Sequence, residues 1–132
     1  MPTQAQDSQS HRLKMINFHL HDNVKVKAGT ADPDFGNDIS GWQGRIKEID
    51  PESEREHVVY LVAWDSLTLQ AMDLPLIVRS EKEGLSWTEM YLFDTDLEPA
   101  VCRDATEDVI RTTKELQQAY RENWQNLKNT AV

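Results

Sequence analysis

The sequence predicts an α+β fold, a small β-barrel with short connecting helices and a long C-terminal helix. Three observations predict it. Several segments alternate apolar with polar residues, as half-buried strands do; intervals rich in Gly, Pro and acids separate them; and the last part of the chain carries one apolar stripe at helical spacing. At 132 residues the chain is one domain by the usual prior, large enough to bury a core and too small for two.

Residues 1–12 are rich in Gln, Ser and Thr with almost nothing to bury, which predicts a mobile tail ahead of a domain over 13–100. Leu13, Ile16 and Leu20 have helical spacing, whereas Ile16, Phe18 and Leu20 alternate, so either element fits. His19 and His21 would share a face on a strand, but two imidazoles with no third ligand read more simply as surface residues. Val24 and Val26 alternate with Lys25 and Lys27, a half-buried strand that Gly29 ends.

After the acidic interval that follows, Gly41 and Gly44 bracket Trp42, and residues 45–49 alternate again. The polar interval 50–55 contains Pro51 and leads to residues 57–64, the strongest strand in the chain, so the two runs read as a hairpin with a long loop. Asp65 or Ser66 can cap a short helix through Met72; Pro75 can open another that Gly84 ends. Residues 87–93 alternate once more, with Trp87, Glu89, Tyr91 and Phe93 on one side, before acids recur at 94, 96 and 98 and Pro99 stops the element.

Over 104–128 the signal is helical. Val109, Thr113, Leu116, Tyr120, Trp124 and Leu127 form one stripe, with Asp104 expected at the N-cap, Glu107 three residues on, and Glu107 four residues before Arg111. Such a helix is about 35 Å long, longer than one face of a small barrel. It is expected to pack on the barrel or on a second subunit, the latter making a homodimer.

The formal net charge is −9. It is concentrated in residues 32–56, with three bases and eight acids, and 81–108, with two and nine. Two negative regions attract cations or basic partners and disfavour a phosphate backbone, so no nucleic acid is expected. A single cysteine, Cys102, excludes an internal disulfide; with no signal-peptide core and no run of eighteen apolar residues, the expectation is a soluble cytoplasmic protein without membrane contact. No nucleophile–base ordering, phosphate loop or zinc spacing occurs, and no enzyme is expected.

Within the first negative region, Asp32, Asp34, Asn37 and Asp38 place four oxygen-bearing side chains in seven residues that Pro33 and Gly36 keep irregular. Calcium takes six to eight oxygen ligands, and such a loop supplies carboxylates, an amide oxygen and free carbonyls. The same residues are also the commonest turn formers. The spacing is not an EF-hand, because Gly36 is fifth from Asp32 and Gln43 stands where a bidentate Glu is required.

The order of strand, long loop, Gly-rich entry, hairpin, helical turn and last strand suggests an SH3-like barrel. More specific landmarks are Asp32-Pro33-Asp34-Phe35, Gly41-Trp42-Gln43-Gly44, Trp64-Asp65 with Thr68-Leu69, Glu83-Gly84-Leu85, and Met90-Tyr91-Leu92 leading to Asp96-Leu97-Glu98. Over about residues 22–99 this series resembles the small cyanobacterial calcium-binding proteins of the CcbP type, which are not EF-hands. The resemblance implies a protein that binds or buffers calcium, with Asp32, Asp34 and Asp38 as ligands and Asp94, Asp96 and Glu98 next in line. A second reading is a protein-interaction module in which Phe35, Trp42, Tyr60 and Trp64 surround a methylated cationic side chain; the bland alternative for these rings is the core.

Overall fold

The computed structural model describes residues 17–50 and 57–130, with side chains described as far as Gln125. The tail expected over 1–12, the ambiguous segment up to residue 16 and most of the turn over 50–55 lie outside the described residues. The fold is α+β. Strands β1 (Asn23–Val26), β2 (Gln43–Asp50), β3 (Val59–Trp64), β4 (Glu89–Phe93) and β5 (Leu97–Pro99) form one antiparallel sheet in the order β4-β3-β2-β1-β5.

Among the described residues the sheet is open, with β4 and β5 as its edges, yet only the 3-10 turn Asp94–Asp96 separates those strands in sequence. A flat sheet would hold its first and fifth strands about 19 Å apart. Four residue steps reach about 14 Å at most. The sheet must therefore curl enough to bring the end of β4 near the start of β5. The acids at 94, 96 and 98 do not prolong β4, as the alternation suggested; the chain turns there, and β5 pairs with β1 through Val24↔Pro99, Lys25↔Glu98 and Val26↔Leu97.

Inside the curl, Val24, Val26, Ile46, Tyr60, Val62, Trp64, Leu92 and Leu97 are buried together with Ile39, Leu69, Ile77 and Trp87. Removing a large apolar side chain from water stabilises the fold by roughly 1.5–3 kcal/mol. β2 and β3 pair from Gly44↔Trp64 to Asp50↔Val59, with the register slipping at Lys47. Gly44 is required by this pairing, since a Cβ there would collide with the carbonyl of Ala63.

Helix α1 (Ser66–Ala71) starts where Asp65 accepts the Thr68 N–H at 2.8 Å, and α2 (Leu74–Lys82) where Asp73 accepts that of Leu76 at 3.0 Å, with Pro75 in its first turn. Gly84, at φ +73°, ends the second as expected. Helix α3 (Thr106–Thr130) packs on α1 and α2, with Val109, Leu116 and Tyr120 against the core and Thr112 buried. Trp124 stacks on Tyr120 at 6.3 Å, while the Leu127 side chain lies outside the described residues.

The start of α3 departs from the expected cap. Asp104 directs its carboxylate to Arg45 and to the Ser66 N–H, and Asp108 accepts the Ala105 N–H at 2.9 Å in its place. Arg111 accordingly pairs with Asp108 rather than Glu107. Among the described residues no helix is long and apolar enough to cross a membrane.

Candidate cation site

The loop after β1 is closed by main-chain hydrogen bonds. Ala31 and Asp38 form an isolated antiparallel bridge, and the N–H groups of Asp32 and Ile39 donate to the carbonyls of Asn37 (2.8 Å) and Thr30 (3.0 Å). Asp32 points inward and is 6% exposed. Its Oδ1 accepts the N–H groups of Asp34 (2.8 Å), Phe35 (2.5 Å) and Gly36 (3.3 Å), and its Oδ2 accepts that of Asn37 (3.0 Å). Gly36 closes the turn at φ +76°, a conformation other residues adopt only with strain.

That wrapping explains why these residue types fall in this order. An Asp at the start of a turn gathers N–H groups, and Gly36 supplies the left-handed step that aims them at it. Asp32 thus builds the loop, and Asp34, Asn37 and Asp38 are exposed on it. Asp38 accepts from the Ser40 hydroxyl (2.5 Å) and N–H (2.9 Å). The hydroxyl, then the N–H, hold its carboxyl below the usual carboxylate range. None of the three loop aspartates forms an ion pair with a described side chain.

The other sequence-predicted positions lie outside the loop, and two of them, Asp94 and Glu98, have a basic side chain within 4 Å. Asp94, 12% exposed at its side chain, sits 3.5 Å from His57 Nδ1, with its Oδ1 accepting no hydrogen bond. Glu98 pairs with Lys25 at 3.8 Å, and the Asp96 carbonyl accepts the Lys27 N–H at 2.9 Å. Of the two acidic segments, Ala31 and Pro33 share a groove with Phe93 and Asp96, while the loop carboxylates do not line it. Among the described residues no three His, Cys, Asp or Glu side chains form a metal-holding group.

The aromatic residues divide differently from the cage expectation. Tyr60 and Trp64 are fully buried; Tyr60 accepts the N–H groups of Asn17 and Phe18 and meets the Phe18 ring edge to face, and Trp64 meets Trp42 at 5.2 Å. Phe35 and Trp42 keep exposed surface. Arg79 of α2 lies 3.9 Å over the Phe35 ring, so a cation already covers one face of the loop. Nothing in the local sequence joins Phe35 to Arg79; α2 brings them together.

A polar junction between β2, α1 and the start of α3 was also not foreseen. Asp65, 2% exposed, receives Arg103 through Nε (2.6 Å) and a terminal nitrogen (3.0 Å), and Thr68 Oγ1 accepts from both Arg103 and the Gln43 N–H. Gln43 donates to the Val101 carbonyl at 2.7 Å, and Arg45 holds Asp104. Burial pushes the Asp104 carboxyl up, but the Ser66 and Arg45 donors outweigh it and leave the group below its ordinary value. These contacts fasten the start of α3 to β2 and α1.

No family model, curated protein or solved structure matches the chain, so the reading of its function rests on its own geometry.

Proposed function

We propose that the protein binds calcium on the closed loop 31–38. One observation carries this reading: the closed loop gathers the three carboxylates of Asp32, Asp34 and Asp38 within seven residues, none of them with a described side-chain counter-ion. Negative charge on a hydrogen-bonded frame is what a hard cation neutralises, and a loop already folded lowers the ordering cost of binding. Asp34, Asn37 and Asp38, with outward carbonyls and water, are the oxygen donors on offer, and Asp32 holds the frame. Calcium suits this set better than magnesium, which demands near-octahedral geometry and dehydrates reluctantly. The strand order and the 3-10 turn before β5 support reading the curled sheet as SH3-like.

Calorimetric titration of chelator-treated protein with calcium, then magnesium, tests the proposal. Calcium is expected to bind and to raise the melting temperature, by several degrees at a hundred times the dissociation constant, where mass action adds roughly 2.7 kcal/mol. Magnesium is expected to do less. No heat and no melting shift at millimolar calcium would overturn the reading.

A further inference from the structure

The acidic loop has a positive neighbour on another element. Arg79, in the last turn of α2, sets its guanidinium carbon 3.9 Å from the centre of the Phe35 ring. Phe35 stands between Asp34 and Gly36, and its N–H is one of the four that Asp32 gathers. The contact therefore seats a positive charge on the same turn that carries the loop's carboxylates.

That charge is neither buried nor cancelled. Arg79 is exposed, and no described carboxylate lies within ion-pair distance of it. The face of an aromatic ring attracts a guanidinium only modestly at an exposed site. Asp32, Asp34 and Asp38 draw cations toward the loop, the guanidinium included, so their charge adds to the pull of the ring.

A divalent ion on Asp34 and Asp38 reverses this balance, because it cancels most of that attraction and repels the guanidinium directly. Calcium on the loop and Arg79 on the ring therefore oppose each other. Linkage makes the opposition reciprocal: the factor by which a seated Arg79 weakens calcium is the factor by which calcium weakens the seat.

We propose that Arg79 is a built-in competitor of calcium, one that holds down the affinity of the loop while seated on Phe35 and leaves the ring when the ion binds. This role rests on the calcium reading of the loop and adds to it what sets the affinity. It also gives the ion an effect at a distance. α2 packs on α3, so the release of Arg79 loosens the helical layer from the loop.

Calorimetric titration of the chelator-treated full chain with calcium chloride reads the first half of the proposal. For a unit charge beside a divalent ion at the surface, Arg79→Gln is expected to bind calcium about three- to tenfold more tightly at low salt. Arg79→Glu should gain more, and Arg79→Lys, which keeps the charge, should gain little. In about 1 M salt, where screening acts within roughly 3 Å, Arg79→Gln and the natural protein should converge. Proton shifts read the second half. Over the Phe35 ring the Arg79 side-chain protons are moved upfield, and saturating calcium should return them toward their positions in Phe35→Leu, which has no ring.

Equal calcium affinity of Arg79→Gln and the natural protein at low salt would overturn the role of Arg79 and leave the loop as the site. An equal gain in Arg79→Lys would do the same by tracing the effect to shape rather than charge, as would Arg79 proton shifts that calcium does not move. If the natural protein took up no calcium, the loop reading and the role of Arg79 would fall together.

Discussion

Two regions of this molecule bury an aspartate, and they neutralise it in opposite ways. At the junction of β2, α1 and α3, Asp65 meets the Arg103 guanidinium in a two-point contact. In the loop after β1, Asp32 meets four backbone N–H groups and no described cation. Dipoles stabilise a carboxylate without cancelling its charge, whereas a guanidinium does both. The junction is electrically complete. Among the described residues the loop carboxylates keep their negative charge, which is the feature the proposed calcium site rests on.

The sharpest way to break this contrast is at the junction. Arg103→Met removes the partner of a buried carboxylate, and a loss of about 3 kcal/mol is expected, at the low end for a buried pair because the guanidinium keeps part of its surface in water. Urea unfolding measures it. A loss no larger than that of an exposed pair would mean that Asp65 is adequately held by its Thr68 N–H alone.

Next in size is Asp32→Ala, which strands several loop N–H groups. Stability without calcium should fall by about 1–3 kcal/mol, and calcium affinity should fall with it, because the frame and the ligands fail together. If stability fell but calcium binding were intact, the loop would not be the site.

Acid sharpens the comparison further. The carboxyl of Asp104 sits below its ordinary value of 3.8 in the folded protein. Its contribution is therefore fully present above the unfolded value and is lost as pH falls through the folded one. Melting temperature followed from neutral pH down to about pH 2 should show an acid limb that is shallower in Asp104→Asn than in the natural protein. Parallel limbs would mean that other carboxylates govern the acid transition.

The smallest effect on stability is expected at the exposed face of the loop. Asp34→Asn keeps the shape and removes one charge, so the calcium-free protein should melt at the same temperature or slightly higher, while its calcium-induced shift shrinks. A lowered melting point with an undiminished shift would make Asp34 a turn former like Asp32.

Much of the architecture was legible because it is written in local periodicity. The alternation at Val24 and Val26 and the stripe from Val109 to Trp124 need only neighbours to be understood, and both elements form as read. β5 was hidden because three residues, Leu97–Pro99, are too few to show a period and follow directly on an acidic alternation. Asp104 misled for a different reason. Its local signature is that of a cap, but Arg45 competes for the carboxylate from 59 residues away.

The acidic loop was visible as a cluster of oxygen donors, and both its readings, ligand set and turn, were present in its composition. What sequence alone could not assign was the division of labour, in which Asp32 takes the turn and leaves the others outside. Equally invisible was Arg79 on Phe35, since side chains on a loop and a distant helix share no pattern.

The pairing of β1 with β5 also sets an order of events during synthesis. Val24 finds Pro99 only after most of the chain has been made, so one side of β1 has no partner while the hairpin of β2 and β3 is already complete. At about 5–20 residues per second, that strand waits several seconds on the ribosome with its main chain open to other chains. Lys25 and Lys27 flank its two buried valines, and like charges on an unpaired strand discourage association with a second copy. The same two lysines that mark the strand's wet face in the finished protein thus guard it before the fold is closed.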